Sequence, residues 1–379
     1  MSARTSSGPG IATRVFGSQW FVSVLAVLIA FAIGAILIAL SGASVVDAYY
    51  AMFRGSIVDP NAANAVRMIK PLTDSLFYSI PLIISGLGLA LGFRAGLFNI
   101  GGKGQIIVGA LAAVWVGFAV SLPPVVHTLV ALLVAVIAGG LYGGIAGVLK
   151  AKTGANEVIV TIMLNAIATL GLGYTLAQKA WQVPGTNQPV TPKVADSAAF
   201  ARLLPAPFKL HVGFLVALVA LVAFWWLIER STLGFQIRAV GANAAAARTA
   251  GISVERITAI TMVLSGAFLG LAGANEALGT IGYVSRDVAG SIGFDAITVA
   301  LLGRNKTWGT FGAGLLFGAF KAGGYTMQAK GVPIDMILIL QSVIVLLIAA
   351  PALVRWLFRL PDVRALAAQT RKGNADEHK

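Results

Sequence analysis

Ser75 to Phe93 is nineteen consecutive residues without a charge, and the chain repeats such runs until solvent, rather than any motif, decides its fold class. Runs of the same character occupy Trp20–Leu40, Gly104–Leu122, Val125–Leu149, Val158–Gln178, Val212–Ile228, Ile257–Asn275 and Met336–Val354. About 20 apolar residues in a helix match the ~30 Å hydrocarbon core of a bilayer. A helix also satisfies its own backbone there. Each run is therefore expected to be a transmembrane helix, the first of them retained rather than cleaved as a signal peptide. Val288–Gly303, which holds Asp295, and Thr307–Phe320 are shorter and interrupted by glycine. Read as full spans, they bring the total to about ten; as one re-entrant pair, they would bury Arg304 and Lys306 at its tip, at about 3 kcal/mol each. The expectation is an all-α integral membrane protein with about ten transmembrane helices. Its polytopic domain covers 20–354, between a lead over 1–19 and a basic tail over 355–379.

Composition agrees. The 379 residues are 58% hydrophobic and 11% charged, with a mean hydropathy of +0.86, which excludes an ordinary soluble domain. The 44 glycines fit helices packed at close backbone approach. With no cysteine there is no disulfide, thiolate metal site, iron–sulfur cluster or thiol catalysis.

The net charge of +14 has to be read against sidedness before it is read as affinity for nucleic acid. With ten spans and the N-terminus inside, 18 of the 28 Lys and Arg residues fall on inside segments, six of them in the tail from Arg355. That asymmetry places both termini in the cytoplasm. It turns the tail into a segment near anionic lipid and removes nucleic acid as a partner. The proline-rich segment 179–211 then forms the principal external loop.

No chemistry of covalent catalysis is legible. Gly101-Gly102-Lys103-Gly104 lacks the hydroxyl and the earlier glycine of a phosphate loop. His127, His211 and His378 are too scattered to assemble a metal site, so no metal is expected. The chain is expected not to be an enzyme and to bind no cofactor of its own.

Two weaker signals organise the interior. Gly143-x-x-x-Gly147-x-x-Lys150 recurs as Gly314-x-x-x-Gly318-x-x-Lys321. Each is followed by an acid opening an apolar helix (Glu157, Asp335) and then by an amide (Asn165, Gln341). The first copy ends inside and the second outside, the sense of an inverted repeat with two pseudo-repeated halves. Glycine-rich breaks at Asn99–Gly104 and Gly290–Gly293 sit in corresponding halves and mark discontinuous helices. Asn99 lies in the first of these breaks. Among the polar groups placed at membrane depth, Asn165, Glu276 and Asp295 stand out. Such groups serve either as helix-to-helix glue or as the lining of a substrate path.

The long polar interruption in the second half is Glu229 to Arg256. Asn243 suits an N-cap and Gly251 a C′ position for one short helix between them, and Ser253 with Glu255 restarts a helix that enters the membrane at Ile257. A structured, basic, small-residue surface at a membrane face is the kind of place another protein sits.

The ordered segments Leu91–Gln105 (LGFRAGLFNIGGKGQ), Gly154–Asn165 (GANEVIVTIMLN), Thr232–Asn243 (TLGFQIRAVGAN) and Ala250–Ser253 (AGIS) resemble the branched-chain amino acid and simple sugar permease family of ABC importers, nearest to its nucleoside permeases. The likeness covers roughly residues 70 to 350. It implies a type II ABC importer-like permease in a bacterial inner membrane. It also implies a second related permease subunit, a cytoplasmic ATPase with two nucleotide-binding domains that uses ATP, and an external substrate-binding lipoprotein. Loop 229–256 would couple to the ATPase through Arg238, Gly241, Asn243, Arg248 and Gly251. The substrate path would draw on Asn99, Asn165, Glu276 and Asp295. Sugar or branched-chain amino acid permeases are alternatives within the family, and an ion-coupled carrier working alone is an alternative outside it.

Overall fold

The computed structural model describes residues 19–333 and single positions from 336 to 347. The expected span Met336–Val354, the pair Asp335 and Gln341, the lead before Gln19 and the tail from Arg355 lie wholly or largely outside the described residues. Within them the chain is helical, with one isolated bridge between Arg202 and His211 in place of any sheet. Two units emerge, residues 1–51 with 327–379, and residues 52–326. In the first, α1 (Gln19–Leu40) meets the start of α2 (Val45–Ser56), where the Tyr49 hydroxyl donates to the Phe31 carbonyl at 2.5 Å.

The second unit holds α3 (Ala65–Arg94), α4 (Gly102–Ala119), α5 (Val126–Thr153), α6 (Glu157–Ala177), α7 (Gly213–Trp225), α8 (Thr232–Ala242), α9 (Ala244–Thr249), α10 (Val254–Asn275), α11 (Ile292–Leu302) and α12 (Thr307–Gln328). Helices α7 and α10 each finish in a π-helical turn, Trp226–Arg230 and Glu276–Thr280. Among the described residues six helices are long and apolar enough to cross a membrane: α3 to α6, α7 with its π turn and α10 with its π turn. α11 is apolar but short, as is Val27–Leu40 in α1. The structure thus carries a multi-pass helical protein, six of whose helices have the length and hydropathy of spans. The boundaries also move: α3 begins ten residues before the expected span at Ser75, and α12 runs on to Gln328. Asn64 sets the earlier start by accepting from the Arg67 amide and capping the first turn.

α3 is the most buried of the six and packs against α7, α10 and α11. The tightest pair is α5 with α10, and glycine makes it so. Added Cβ atoms at Gly139 and Gly143 would stand 2.5 Å from the Gly266 carbonyl and 2.6 Å from the Met262 carbonyl. Backbone-to-backbone packing of this kind holds helices together where lipid removes the hydrophobic drive. The second glycine motif does the same job elsewhere. Gly314 meets Ile83, and Gly318 meets Ser75 and Ser79, so α12 lies on α3. α6 is the least buried of the six, and Ile159, Met163, Leu170 and Tyr174 are mostly exposed.

Segment 179–212 lies across one end of the helices. Its amides at Val194, Ala195 and Phe200 donate to the carbonyls of Gly282, Gly117 and Leu278. His127 at the start of α5 reaches Ser197 through Nδ1 (2.8 Å) and the Val116 carbonyl through Nε2 (3.0 Å). At the same end His211 is buried between the rings of Phe77 and Phe200, with Nδ1 accepting from the Gly213 amide. Burial pushes its pKa down to about 4.

Candidate functional site

The end of the second unit opposite segment 179–212 is built on loop 229–256. Ser231 caps α8 by accepting from the Gly234 amide, and Asn243 caps α9 by accepting from the Ala246 amide at 3.0 Å. α9 closes with Gly251 at φ 82°. The Gly251 amide donates to the Arg248 carbonyl and the Ile252 amide to the Ala247 carbonyl, the paired bonds of a Schellman ending. Ser253 then caps α10 by accepting from the Arg256 amide. The α9 caps and the restart at Ser253 stand where the sequence places them, and the structure adds a helix over Thr232–Ala242. The signal was present, since Ser231 precedes a Thr-Leu-Gly-Phe-Gln run with the polarity of a half-buried turn.

Two glycines set how α8 lies. A Cβ at Gly241 would drive into the Arg94 carbonyl, and one at Gly234 into the carbonyls of Leu227 and Ile228. α8 therefore presses on the C-terminus of α3 at one end and on the π turn of α7 at the other. Arg94 ties the junction further. Its Nε donates to the Asn305 carbonyl at 2.8 Å, and its guanidinium stands 3.4 Å from Glu229. Lys150 bonds Glu157 at 2.6 Å nearby in the fold, and Glu157 also accepts from the Phe98 amide. On the free side, α8 and α9 enclose an apolar groove of about 580 Å3 lined by Phe235, Ala239, Ala242, Ala246 and Ile252. Arg248 of α9 pairs with Glu255 at the start of α10 at 2.5 Å, but both are more than half exposed, so that pair contributes little stability. Arg238 does not face outward with them: its Nη1 is buried and has no hydrogen-bond partner.

Of the four positions assigned to the substrate path, the structure brings Asn99 and Asn165 to the same break. Asn99 Nδ2 donates to Ser265 Oγ at 2.9 Å and to Gln105 Oε1 at 3.0 Å, and its Oδ1 accepts from the Gly101 amide. Asn165 reaches the break from α6, accepting from the Gly104 amide and donating to the Ile100 carbonyl, both at 2.8 Å. These side chains satisfy backbone groups that a broken helix would leave bare. The two glycine-rich breaks also touch: Gly102 lies against Gly293, so the first turns of α4 and α11 cross with nothing but backbone between them.

Glu276 and Asp295 make no contact with the Asn99 and Asn165 side chains and share a different neighbour. Lys321 of α12 is close enough to attract both carboxylates. Glu276 is buried in the π turn and accepts from Thr280 Oγ1 at 3.1 Å, while Asp295 accepts from Ser291 at 2.6 Å. The rings of Tyr78 and Tyr325 stand 5.4 Å apart. In the sequence Lys321 stands only at the end of a glycine motif. Its two acidic partners come from the π turn after α10 and from α11, so no local spacing announces them.

Compared with known proteins, residues 72–349 match the family described as branched-chain amino acid transport system, permease component. The chain is 40% identical to the guanosine ABC transporter permease protein NupP of Bacillus subtilis, over 89% of this chain and 95% of that one. It is 35% identical to the glucose ABC transporter permease protein TsgB13 of Haloferax volcanii, over 85% of each. It is 32% identical to the nucleoside ABC transporter permease protein NupB of Lactococcus lactis, over 92% of this chain and 94% of that one. No solved structure matches the chain.

Proposed function

Because this chain belongs to the permease-component family of branched-chain amino acid transport systems, we propose that it is a membrane-spanning subunit of an ATP-driven importer whose cargo is a nucleoside. The observation that carries the cargo is the 40% identity to a guanosine permease over nearly the whole of both chains. The glucose permease at 35% keeps simple sugars as the second reading.

The energy enters from a separate ATPase at loop 229–256, and the end of the bundle that carries this loop is the cytoplasmic one. Both termini lie on that side, and the external segment 179–211 receives a substrate-binding lipoprotein. A groove lined by Phe235 and Ile252 accepts an apolar side chain from the ATPase. The Asn243 cap and the Gly251 ending hold α9 as a rigid peg beside it. Through Gly241 a push on α8 reaches the end of α3 without slack. Arg248 stands at the docking rim, and Arg238 lies on the inner side of α8.

A second, related permease subunit supplies the other half of the path. Glu276 and Asp295, with the Lys321 charge acting on both, offer charge to a nucleoside, and the Tyr78–Tyr325 pair offers aromatic surface. Asn99 and Asn165 shape the path by holding the helix break. This chain then needs no cofactor, and ATP is used by its partner.

Substrate-stimulated ATPase activity of the purified complex, screened across guanosine, ribose, glucose and leucine, tests the cargo. Stimulation by guanosine is expected. Stimulation by a sugar or by leucine alone would replace the nucleoside, and transport by this chain alone in liposomes without ATPase would remove the coupling.

A further inference from the structure

A cleft of about 790 Å3 opens between the end of α7 with its π turn, Arg238 in the second half of α8 and the start of α12. Its walls carry Arg94, Arg230, Arg238 and Lys306, against a single acid, Glu229. Glu229 is already engaged with Arg94 at 3.4 Å, which leaves three cations without an ion-pair partner among the described residues. Two hydrogen-bonding groups in the wall are also unspent: Arg238 Nη1 and Thr307 Oγ1 are both buried, and neither has a partner. Burying polar groups without partners is costly, and a cleft that gathers two of them with three cations is complementary to a tetrahedral oxyanion.

The rest of the wall says where that anion comes from. Trp225 and Trp308 line the cleft, and the Arg230 guanidinium stands 5.3 Å from the Trp225 ring centroid. Tryptophan at the end of an apolar helix marks the headgroup level of a bilayer. From this rim an exposed apolar row continues along α12 through Trp308, Gly312 and Leu316, and another along α7 through Val219, Val222 and Trp226. A soluble anion or an acidic peptide has no use for those rows; acyl chains do. We propose that the cleft binds the phosphodiester of an anionic phospholipid, with Arg238, Lys306 and Thr307 contacting the phosphate and Trp308 packing on the glycerol and upper acyl chain. A basic pocket between membrane helices at the interface is a suitable receptor for such a headgroup.

The test is titration of the detergent-solubilised full chain with dioctanoyl phosphatidylglycerol, read by tryptophan fluorescence, with dioctanoyl phosphatidylcholine and inorganic phosphate as separate arms. Saturable binding of phosphatidylglycerol is expected, much tighter than either control. Arg238→Gln or Lys306→Gln should weaken it roughly fivefold, and the pair about thirtyfold. Thr307→Val, which preserves shape and removes the unpaired hydroxyl, should weaken it with no loss of thermal stability, and Trp308→Phe should remove most of the signal. Equal binding of phosphatidylcholine, or variants that bind as the parent does, would overturn the proposal. Inorganic phosphate binding as tightly as the lipid would reassign the cleft to a free anion. If the assembled importer loses the lipid and Lys306 cross-links to the ATPase, the occupant is an acidic segment of that partner and the lipid assignment fails.

Discussion

Gly241 of α8 rests on the carbonyl oxygen of Arg94, the last residue of α3, with no room for a methyl group between them. The contact joins the loop on which a partner would act to the most buried helix of the bundle. Gly241→Ala should therefore displace α8 at a cost of about 1 to 3 kcal/mol. Uptake should fall well before membrane insertion does. Comparison of nucleoside uptake with the amount of protein in membranes checks this, and normal uptake by Gly241→Ala would show that α8 is free to slide.

Arg238→Glu places a second carboxylate in the wall that Glu229 already lines and removes a cation from it. The expected outcome is abolished uptake with normal insertion. Radiolabelled guanosine uptake in cells expressing the variant decides it, since retained transport removes Arg238 from the coupling machinery.

Asn165→Leu would strip the Gly104 amide and the Ile100 carbonyl of their partners at once. Each bared group costs about 1 to 3 kcal/mol. Thermal stability, transport and assembly with the ATPase should all fall together, because the amide holds the break in place. Loss of transport alone, with an unchanged melting curve, would instead make Asn165 a substrate contact.

Lys321→Met should leave Glu276 without its positive neighbour in a buried turn, reducing uptake severely. Adding Glu276→Gln should recover part of the stability lost by Lys321→Met, the non-additivity expected of groups that interact. A double variant as unstable as the sum of the two singles would separate these residues.

His211 is held neutral by burial, with its pKa near 4 rather than 6.5. As pH falls below 6.5 the unfolded chain takes up a proton that the folded chain refuses, so stability present at neutral pH drains away towards pH 4. At pH 5 the loss relative to pH 7.5 is about 2 kcal/mol. Melting curves of the parent and of His211→Phe should diverge in slope across that interval, and parallel curves would contradict the burial.

The sequence by itself determined what depends on solvent and on near neighbours. Uncharged runs such as Ser75–Phe93 had to become helices, because lipid offers the backbone no other partner. The Asn243 cap, the Gly251 ending and the restart at Ser253 were legible because each concerns groups within one turn. The ordered motifs from Leu91 to Ser253 pointed to the family. Tertiary structure decided what depends on residues far apart in the chain. It brought Lys321 to Glu276 and Asp295, set Gly102 against Gly293, and turned Arg238 inward to a cleft shared with Lys306 and Trp308. It also gave Asn99 and Asn165 their work at one break, which no spacing between positions 99 and 165 encodes. A helix spaces its own side chains by a fixed geometry, but which faces meet is settled only when glycines such as Gly139, Gly241 and Gly266 let particular backbones touch.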